Sequence, residues 1–418
     1  MVKRRARAGA AAGGTALAAA AVVLAACGGG GNGGGHKALI VQSTTSVRDS
    51  GVLSALIAPG FRRAHPEYDL KFVAVGSKEA ITNARAGQAD VLIAHSPPLE
   101  QGFVADGYSY EPSGRTIAWN DFVIVGPRSD PAHVGARAPH DAAAAFEAIA
   151  AAGRAGRAHF ISRGDGSGTN TKELEIWGLT HVRRDSDAQP VRGAGDPRWY
   201  VKAGVGMADT LRLTRQCPFP GGGCYTITDR GTLTQLVRNG AISGLPVVMD
   251  AEDGDARGGA SLMVNRYRAY AINPKKVAHV DLKGARAFLD FLTSPGFQRS
   301  LASFPTRRQP GFFPAAFPRV TLDQHTPLRL SGARTLTISG RVRSVVPGAP
   351  APAGMPVRLT QRAGASSTPL AAGRADARGR FRLRARVRRG GELLLSTPRY
   401  RDLSPSTRSL GSAGAGAG

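Results

Sequence analysis

Between residues 38 and 304, short runs of apolar and β-branched residues alternate with stretches that have a helical pattern. This alternation is typical of α/β domains in which strands and helices build a doubly wound sheet. Strands are predicted at residues 38–41, 69–75, 89–94, 121–125, 159–162, 247–249 and 267–272, and helices at 51–64, 78–86, 141–151 and 283–293. The pattern therefore predicts an α/β fold.

A glycine-rich turn separates the strand at residues 159–162 from a helix that we expect to begin near residue 170. Glycines let the backbone approach a ligand closely, and the free N–H groups of a helix N-terminus attract anions. Arg163 can bind an oxyanion through two N–H groups, and Ser167, Gly168 and Thr169 add hydroxyl and backbone donors. The turn predicts an anion site, and the alternative is that Ser167 and Thr169 only cap the helix.

Two further turns between a strand and a helix have the same character. The turn after the first strand contains four adjacent hydroxyl side chains, Ser43, Thr44, Thr45 and Ser46. Gly76 and Ser77 follow the second strand. The carboxyl ends of parallel strands meet at the crevice where open α/β sheets bind ligands, so these neutral donors and Arg163 predict a site for a small desolvated anion. A solvated Ser/Thr loop is the alternative for residues 43–46.

The sequence contains no recognisable motif for a metal, a cofactor or catalysis. The nine His residues are scattered, without a pair at helix spacing and without a Cys partner, so we predict no metal and no cofactor. A Gly-x-Ser-x-Gly elbow is absent, and so is the Gly-Lys-Thr ending of a phosphate-binding loop. The protein is therefore predicted not to be an enzyme.

The N-terminus is typical of a secreted protein. Basic residues precede an Ala/Val/Leu run that is short for a membrane span and ends in Leu-Ala-Ala-Cys, which resembles the lipobox of bacterial lipoproteins. We expect residues 1–27 to be a lipoprotein signal peptide, Cys27 to carry the lipid, and residues 28–37 to form a Gly-rich tether. The chain would then be anchored on the outer face of the cytoplasmic membrane, extracellular or periplasmic. The alternative is an ordinary signal peptide with a chance cysteine.

Two of the three cysteines remain once Cys27 is assigned to the lipid. Cys217 and Cys224 are separated by Pro-Phe-Pro-Gly-Gly-Gly. In an oxidising compartment we expect them to form a disulfide that closes a small loop, and two free thiols are the alternative.

The C-terminal part of the chain differs from the rest. It holds much of the net charge of +25, since residues 326–418 contain 17 Arg against three acidic residues. Because the basic excess is concentrated in this region and is not spread over the whole chain, we predict no nucleic-acid partner. Period-two alternation predicts a small β-sandwich at residues 326–402, preceded by a Pro/Phe linker at 311–325 and followed by a flexible tail at 403–418. Arginines alternate with apolar residues at 380–388, so one strand face is cationic. That face is either simply solvated or binds anionic envelope polymers.

A series of short motifs lies in one order along the chain, at residues 43–46, 49–51, 74–76, 89–91, 95–97, 120–127, 162–165, 167–169, 204–207, 225–232 and 271–274. By these motifs, most of residues 38–305 resembles the tungstate-binding lipoproteins of ABC importers, within the type II periplasmic-binding-protein class. Ser43 stands where the family usually has Thr. The loop between the two cysteines and the region after residue 318 look like additions.

The resemblance implies two lobes that close on an anion and are joined by strands near residues 121–125 and 267–272. Lobe 1 would comprise residues 38–120 and 268–310, and lobe 2 residues 121–267. The oxygens would be held by Thr44, Thr45, Ser46, Arg163, Ser167 and Thr169, with Gly76 and Ser77 adding a further contact. A monomer of this class would deliver its ligand to the permease and ATPase subunits of an importer.

The resemblance makes tungstate the first candidate ligand, with molybdate of nearly the same size and charge. Phosphate is an alternative, because phosphate-binding lipoproteins also combine a Gly-Ser-Gly-Thr helix start with a nearby Arg. A phosphate that keeps a proton needs an acceptor in the site, so an Asp165 side chain that points away would disfavour phosphate. A cell-surface adhesion or matrix protein that uses the basic C-terminal domain is a further alternative.

Overall fold

The computed structural model describes residues 36–190, 198–323, 334–388 and 390–412. The predicted signal peptide, Cys27 and the tether up to residue 35 lie outside these ranges. In the part of the chain that is described, no helix is long and apolar enough to cross a membrane.

The described residues form seventeen strands and eleven α-helices, which are numbered here in chain order. The strands are β1 (Lys37–Thr44), β2 (Tyr68–Val75), β3 (Val91–Ala94), β4 (Arg115–Val125), β5 (Ala158–Ser162), β6 (Tyr200–Lys202), β7 (Gly223–Asp229), β8 (Val247–Met249), β9 (Val264–Ala271), β10 (Phe313–Pro314), β11 (Arg319–Leu322), β12 (Arg334–Arg343), β13 (Pro356–Ala363), β14 (Ser366–Arg374), β15 (Arg380–Val387), β16 (Glu392–Thr397) and β17 (Ser406–Ser412). The helices are α1 (Thr45–Asp49), α2 (Ala58–Ala64), α3 (Ser77–Arg85), α4 (Pro97–Ala105), α5 (Val134–Arg137), α6 (Ala142–Arg154), α7 (Gly168–Leu179), α8 (Met207–Gln216), α9 (Arg230–Arg238), α10 (Leu282–Leu292) and α11 (Pro295–Leu301), with a π-helical turn at Leu53–Ile57 directly before α2.

The first ten strands form one mixed sheet. Its main path is β2-β1-β3-β9-β4-β7-β5-β6, and β8 and β10 pair with β4 beside that path. Strands β2, β1 and β3 are parallel, as are β7, β5 and β6, whereas β9 and β4 pair antiparallel with their neighbours. The sheet therefore consists of two parallel halves joined through β4 and β9.

Each half of the sheet is covered on both faces. Buried clusters around Phe288 and Phe103 flank the half that contains β1, and clusters around Trp177 and Leu211 flank the half that contains β5. Parallel strands with helices on both sides are apolar on both faces, which explains why all four residues of β3 are buried. The predicted two-lobed α/β fold is confirmed.

The C-terminal region forms two additional sheets, β11-β12-β15 and β14-β13-β16-β17, which enclose a separate core. This confirms the predicted all-β, sandwich-like region. Its bounds differ from the predicted 326–402, because β11 begins at Arg319 and β17 ends at Ser412. Strand β17 lies within the predicted tail because Leu410 is fully buried in the sandwich core and β16 supplies backbone partners.

The segment between the two regions is packed against the mixed sheet. Phe312 lies in the core of the first half, and the ring of Phe313 stacks on Trp119 at 4.4 Å between centroids. Asp402 also reaches the joining strands, because its Oδ2 accepts from Thr116 Oγ1 at 2.5 Å and from Arg268 Nη2 at 3.3 Å. The C-terminal β-sheet region is therefore held against β4 and β9 by these contacts.

Candidate functional site

The first cluster of hydroxyl side chains lies where β1 ends and α1 begins. Ser43, Thr44, Thr45 and Ser46 are buried, with at most 8% of any one of them exposed. Thr44 precedes α1 but makes no side-chain capping bond. The alternative of a solvated loop is wrong for these residues, and capping does not account for their hydroxyls.

The glycine-rich turn lies between β5 and α7. Gly164 and Gly166 have φ angles of +61° and +67°, a region that favours glycine, and this turn leaves the Arg163 side chain only 1% exposed. The Oγ of Ser167 accepts from the backbone N–H of Asn170 at 3.2 Å, so the capping interpretation is correct for Ser167. It does not hold for Thr169, whose buried hydroxyl has no partner among the described residues.

The two halves of the sheet touch through these turns. Arg163 Nη2 donates to Thr45 Oγ1 at 3.1 Å, and the backbone N–H of Gly168 donates to Ser77 Oγ at 3.2 Å. A Cβ atom on Gly76 would lie 3.3 Å from the carbonyl oxygen of Asp165, so a larger residue would press on the opposing turn. The structure therefore brings the three predicted turns together in a closed arrangement.

Six hydrogen-bond donors at this junction are buried and have no partner among the described residues. They are Ser43 Oγ, Thr44 Oγ1, Ser46 Oγ, Thr169 Oγ1, and Nε and Nη1 of Arg163. Leaving a buried donor unpaired costs about 1–3 kcal/mol, and more for a charged group. A ligand that accepts from several of these donors at once would stabilise the closed arrangement.

Asp165 points towards Arg163 and not away from it. Its Oδ2 accepts from Arg163 Nη2 at 2.5 Å, and its Oδ1 accepts from the backbone N–H of Ser167 at 3.1 Å. The carboxylate therefore holds one corner of the guanidinium and leaves Nε and Nη1 to other acceptors. The condition under which Asp165 would disfavour phosphate is not met.

His95 lies beside the same junction, although the sequence analysis assigned it no role in the site. The side chain is 2% exposed, its ring stacks on Tyr267 at 4.8 Å, and Nδ1 lies 2.9 Å from Asn265 Oδ1. Because a carbonyl oxygen only accepts, Nδ1 carries the proton and Nε2 is an acceptor, which has no partner among the described residues. Burial lowers the pKa of His95 to about 4, so the ring is neutral at physiological pH.

Two buried carboxyl groups accept hydrogen bonds from residues next to the junction. Glu173 accepts from Ser162 Oγ at 2.6 Å and from Tyr200 Oη at 2.7 Å, and Asp229 caps α9 by accepting from the backbone N–H of Thr232 at 2.9 Å. Burial raises the pKa of both Glu173 and Asp229. Burial therefore makes the charged form of each carboxyl less favourable than it is in water.

The two cysteines lie apart from this junction. Cys217 follows the end of α8, Cys224 is in β7, and their sulfur atoms are joined in a disulfide. Among the described residues, no group of three or more His, Cys, Asp or Glu side chains is placed to hold a metal ion.

The comparisons with known proteins agree with this architecture. Residues 8–295 match the model of the PBP superfamily domain, so the chain belongs to that superfamily of binding proteins. A Haloferax volcanii protein assigned as an ABC transporter anion-binding protein is 35% identical over 314 residues, which cover 73% of this chain and 80% of that protein. The tungstate-binding protein TupA of Peptoclostridium acidaminophilum is 32% identical over 267 residues, which cover 64% of this chain and 81% of TupA.

A solved structure gives the same result. The chain in the crystal structure of the tungstate ABC transporter from Geobacter sulfurreducens has 33% sequence identity to this protein and a TM-score of 0.51. The match covers 64% of this chain and 98% of that chain. The resemblance to tungstate-binding proteins of ABC transporters is thereby confirmed.

Proposed function

We propose that the protein is the solute-binding component of an ABC importer, that it captures a tetrahedral oxyanion between its two halves, and that tungstate is the preferred ligand. The observation that carries the proposal is the set of six buried donors, contributed by both halves of the sheet, that have no partner among the described residues. The names of the relatives that bind tungstate support the choice of ligand. Capture of this kind is a binding function and not an enzymatic one.

The chemistry of the donors suits a fully deprotonated oxyanion. Tungstate and molybdate present only acceptor oxygens, and hydroxyl groups with the free Nε and Nη1 of Arg163 can replace their hydration shell. Arg163 supplies a buried positive charge that is partly balanced by Asp165. The closed arrangement therefore combines charge with neutral donors, and no metal is needed.

Phosphate is the second candidate, and two observations favour it. Asp165 stays beside Arg163, and the Nε2 acceptor of His95 is buried close to the Gly168 turn, where a Cβ atom would lie 2.7 Å from the ring. A protonated phosphate needs such an acceptor. A direct comparison of the anions separates the two ligands.

The division into lobes follows from the same proposal. Lobe 1 would comprise residues 38–120 and 268–310, and lobe 2 residues 121–267, with β4 and β9 as the connection. In support, residues 115–121 of β4 pair with β9, whereas Phe122–Val125 pair with β7 in the other half. Closure of the lobes on the anion would create the surface that a permease recognises, and the loaded protein would act as a monomer.

The proposed place of action is the outer face of the cytoplasmic membrane. A lipid on Cys27 would anchor the chain there through the Gly-rich tether at residues 28–37. Expression of the full precursor with Cys27→Ala in a bacterial host should move the protein from the membrane fraction to a soluble fraction. Equal membrane association of both precursors would contradict the anchor while leaving the binding proposal intact.

Calorimetry tests the ligand. The chain from His36 onward is titrated with tungstate, molybdate, sulfate and phosphate, as wild type and as Arg163→Ala, with exposed Arg62→Ala as a matched control. Tungstate should bind the wild type and Arg62→Ala equally, and Arg163→Ala should bind about 100-fold more weakly or worse because hydrogen bonds to charged groups contribute about 1.5–3 kcal/mol each. Phosphate binding without tungstate binding would show that the protein binds phosphate instead. If none of the four anions binds detectably, oxyanion capture is rejected.

A further inference from the structure

A second cationic feature lies on the C-terminal sandwich, on the outer surface of the sheet β11-β12-β15. We call this surface the arginine face. It contains seven exposed arginines, Arg319, Arg341, Arg343, Arg380, Arg382, Arg384 and Arg386. Within β15 the arginines are two residues apart, so they project from the same side of the strand.

The strand register places the remaining arginines on the same side. Arg380 is directly opposite Arg341, and Arg319 is directly opposite Arg343, and residues that face each other in antiparallel strands project to one face. The opposite face is the sandwich core, where Phe381 and Leu383 are buried. The arginines cannot turn inward, so the direction of the charged face is fixed by the core.

Few of these charges are balanced by the part of the chain that the structure describes. Arg380 pairs with Asp376 at 2.8 Å, and for the other six arginines no carboxylate lies within ion-pair distance among the described residues. Like charges placed directly opposite each other destabilise a sheet. The face therefore retains a positive potential that an anionic partner would neutralise.

The composition of the face distinguishes between classes of anionic partner. Between the arginines the face presents Thr321 and Thr335, and among the described residues none of the exposed large hydrophobic side chains, Val73, Tyr110, Val205, Val237 and Val247, lies on it. A surface that binds a bilayer usually inserts apolar side chains, and a surface that binds single-stranded nucleic acid usually stacks aromatic rings on the bases. The exposed guanidinium groups are suited to phosphate oxygens.

We propose that the arginine face binds a linear polymer of phosphodiester groups without bases, of the poly(glycerol phosphate) type. Along β15 the guanidinium groups recur every two residues, about 6.7 Å, and the neighbouring strand lies about 4.8 Å away. An extended chain with phosphates at comparable intervals can therefore contact successive arginines. The contacts release counterions, so binding weakens steeply as salt rises.

The test uses the chain from His36 onward and purified poly(glycerol phosphate) at two salt concentrations. The variant combines Arg382→Thr, Arg384→Thr and Arg386→Thr, since Thr favours strands. The control combines Arg62→Thr, Arg63→Thr and Arg183→Thr, which removes the same charge from exposed positions elsewhere. We expect the variant to lose at least about tenfold in affinity and about two units of logarithmic salt slope, and the control to bind as wild type.

Three results would overturn the proposal. They are unchanged binding by the variant, an equal loss in the control, and tighter binding to phosphatidylglycerol vesicles or to single-stranded DNA than to the polymer at equal phosphate concentration. Unchanged thermal unfolding and oxyanion binding show that the variant is folded and keep this test independent of the proposed function. If the triple variant does not fold, Arg384→Glu should bind the polymer more weakly than Arg384→Lys, and equal binding by these two variants would also overturn the proposal.

Discussion

The Nη2 atom of Arg163 lies 3.1 Å from Oγ1 of Thr45, across 118 positions of the sequence. This hydrogen bond joins the end of β5 to the start of α1 and thus connects the two halves of the mixed sheet. Both residues are buried, and the Nε and Nη1 atoms of the same guanidinium have no partner among the described residues. If the protein captures an oxyanion as proposed, closure and ligand capture would be coupled through this one side chain.

Replacing Thr45 by Val tests this coupling. Valine keeps the shape of the side chain but removes the acceptor for Arg163, and a hydrogen bond to a charged group contributes about 1.5–3 kcal/mol. Tungstate affinity measured by calorimetry should fall by about 10- to 100-fold. Thr82→Val, the same change at an exposed position on α3, is the control. Wild-type affinity in Thr45→Val would show that the bond does not contribute to the loaded state.

His95 predicts a dependence of stability on pH. Its pKa is lowered to about 4 in the folded protein, from an ordinary value of 6.5, chiefly because the ring is buried and secondarily because Arg163 is near. Between these values the unfolded chain binds a proton that the folded chain does not, so the free energy of unfolding falls as pH drops from 6.5 to 4. The integrated loss is roughly 3 kcal/mol.

The measurement is denaturant unfolding at several pH values across that window. His95→Gln lacks the titrating group, so its free energy of unfolding should depend less on pH than that of the wild type. His36→Gln, at an exposed position, should follow the wild-type curve. If the curves of His95→Gln and wild type run parallel from pH 6.5 to 4, the buried ring does not carry this dependence.

The disulfide predicts a change in stability without a change in binding. Cys217 and Cys224 close a loop whose ends are seven positions apart, and restricting such a loop in the unfolded chain contributes about 2.5 kcal/mol. The double variant Cys217→Ser and Cys224→Ser should lose about this much free energy of unfolding in a denaturant titration. Tungstate affinity should be unchanged because the disulfide lies outside the junction of the three turns. Loss of binding in a folded double variant would contradict that separation.

The sequence predicted the elements of the site better than their contacts. Hydroxyl and glycine residues at the ends of β1, β2 and β5 are visible as local patterns. These turns meet because β1 and β2 run towards the junction from one half of the sheet, and β5, which runs in the opposite direction, ends towards it from the other half. His95 was missed because its role depends on burial by Tyr267 and on Asn265, which lies 170 positions away. A lone histidine after a short apolar run gives no local signal of such burial.

The fold shows the same limit. The unbroken alternation of arginine and apolar residues at 380–388 matches strand β15, which spans Arg380–Val387. No strand was predicted from pattern at Gly223–Asp229 or at Ser366–Arg374. In β7 the residues from Cys224 to Asp229 are buried on both faces although several are polar, and β14 contains Pro369 and is largely exposed. Both strands owe their conformation to pairing partners that are distant in sequence.

The close approach of Gly168 to His95 leads to a further prediction about closure. A Cβ atom on Gly168 would lie 2.7 Å from the His95 ring and 2.8 Å from the backbone oxygen of His95. At these distances the two halves of the sheet must move apart. Gly168→Ala should therefore weaken tungstate binding at least about tenfold, since a shift of even a few tenths of an ångström lengthens several donor contacts at once. Gly178→Ala, in the same helix, is the matched control, because its nearest contact would be the flexible end of Arg184 at 3.4 Å. Small-angle scattering with and without tungstate should show that tungstate compacts Gly178→Ala but not Gly168→Ala. Full compaction and wild-type affinity in Gly168→Ala would show that closure does not require this contact.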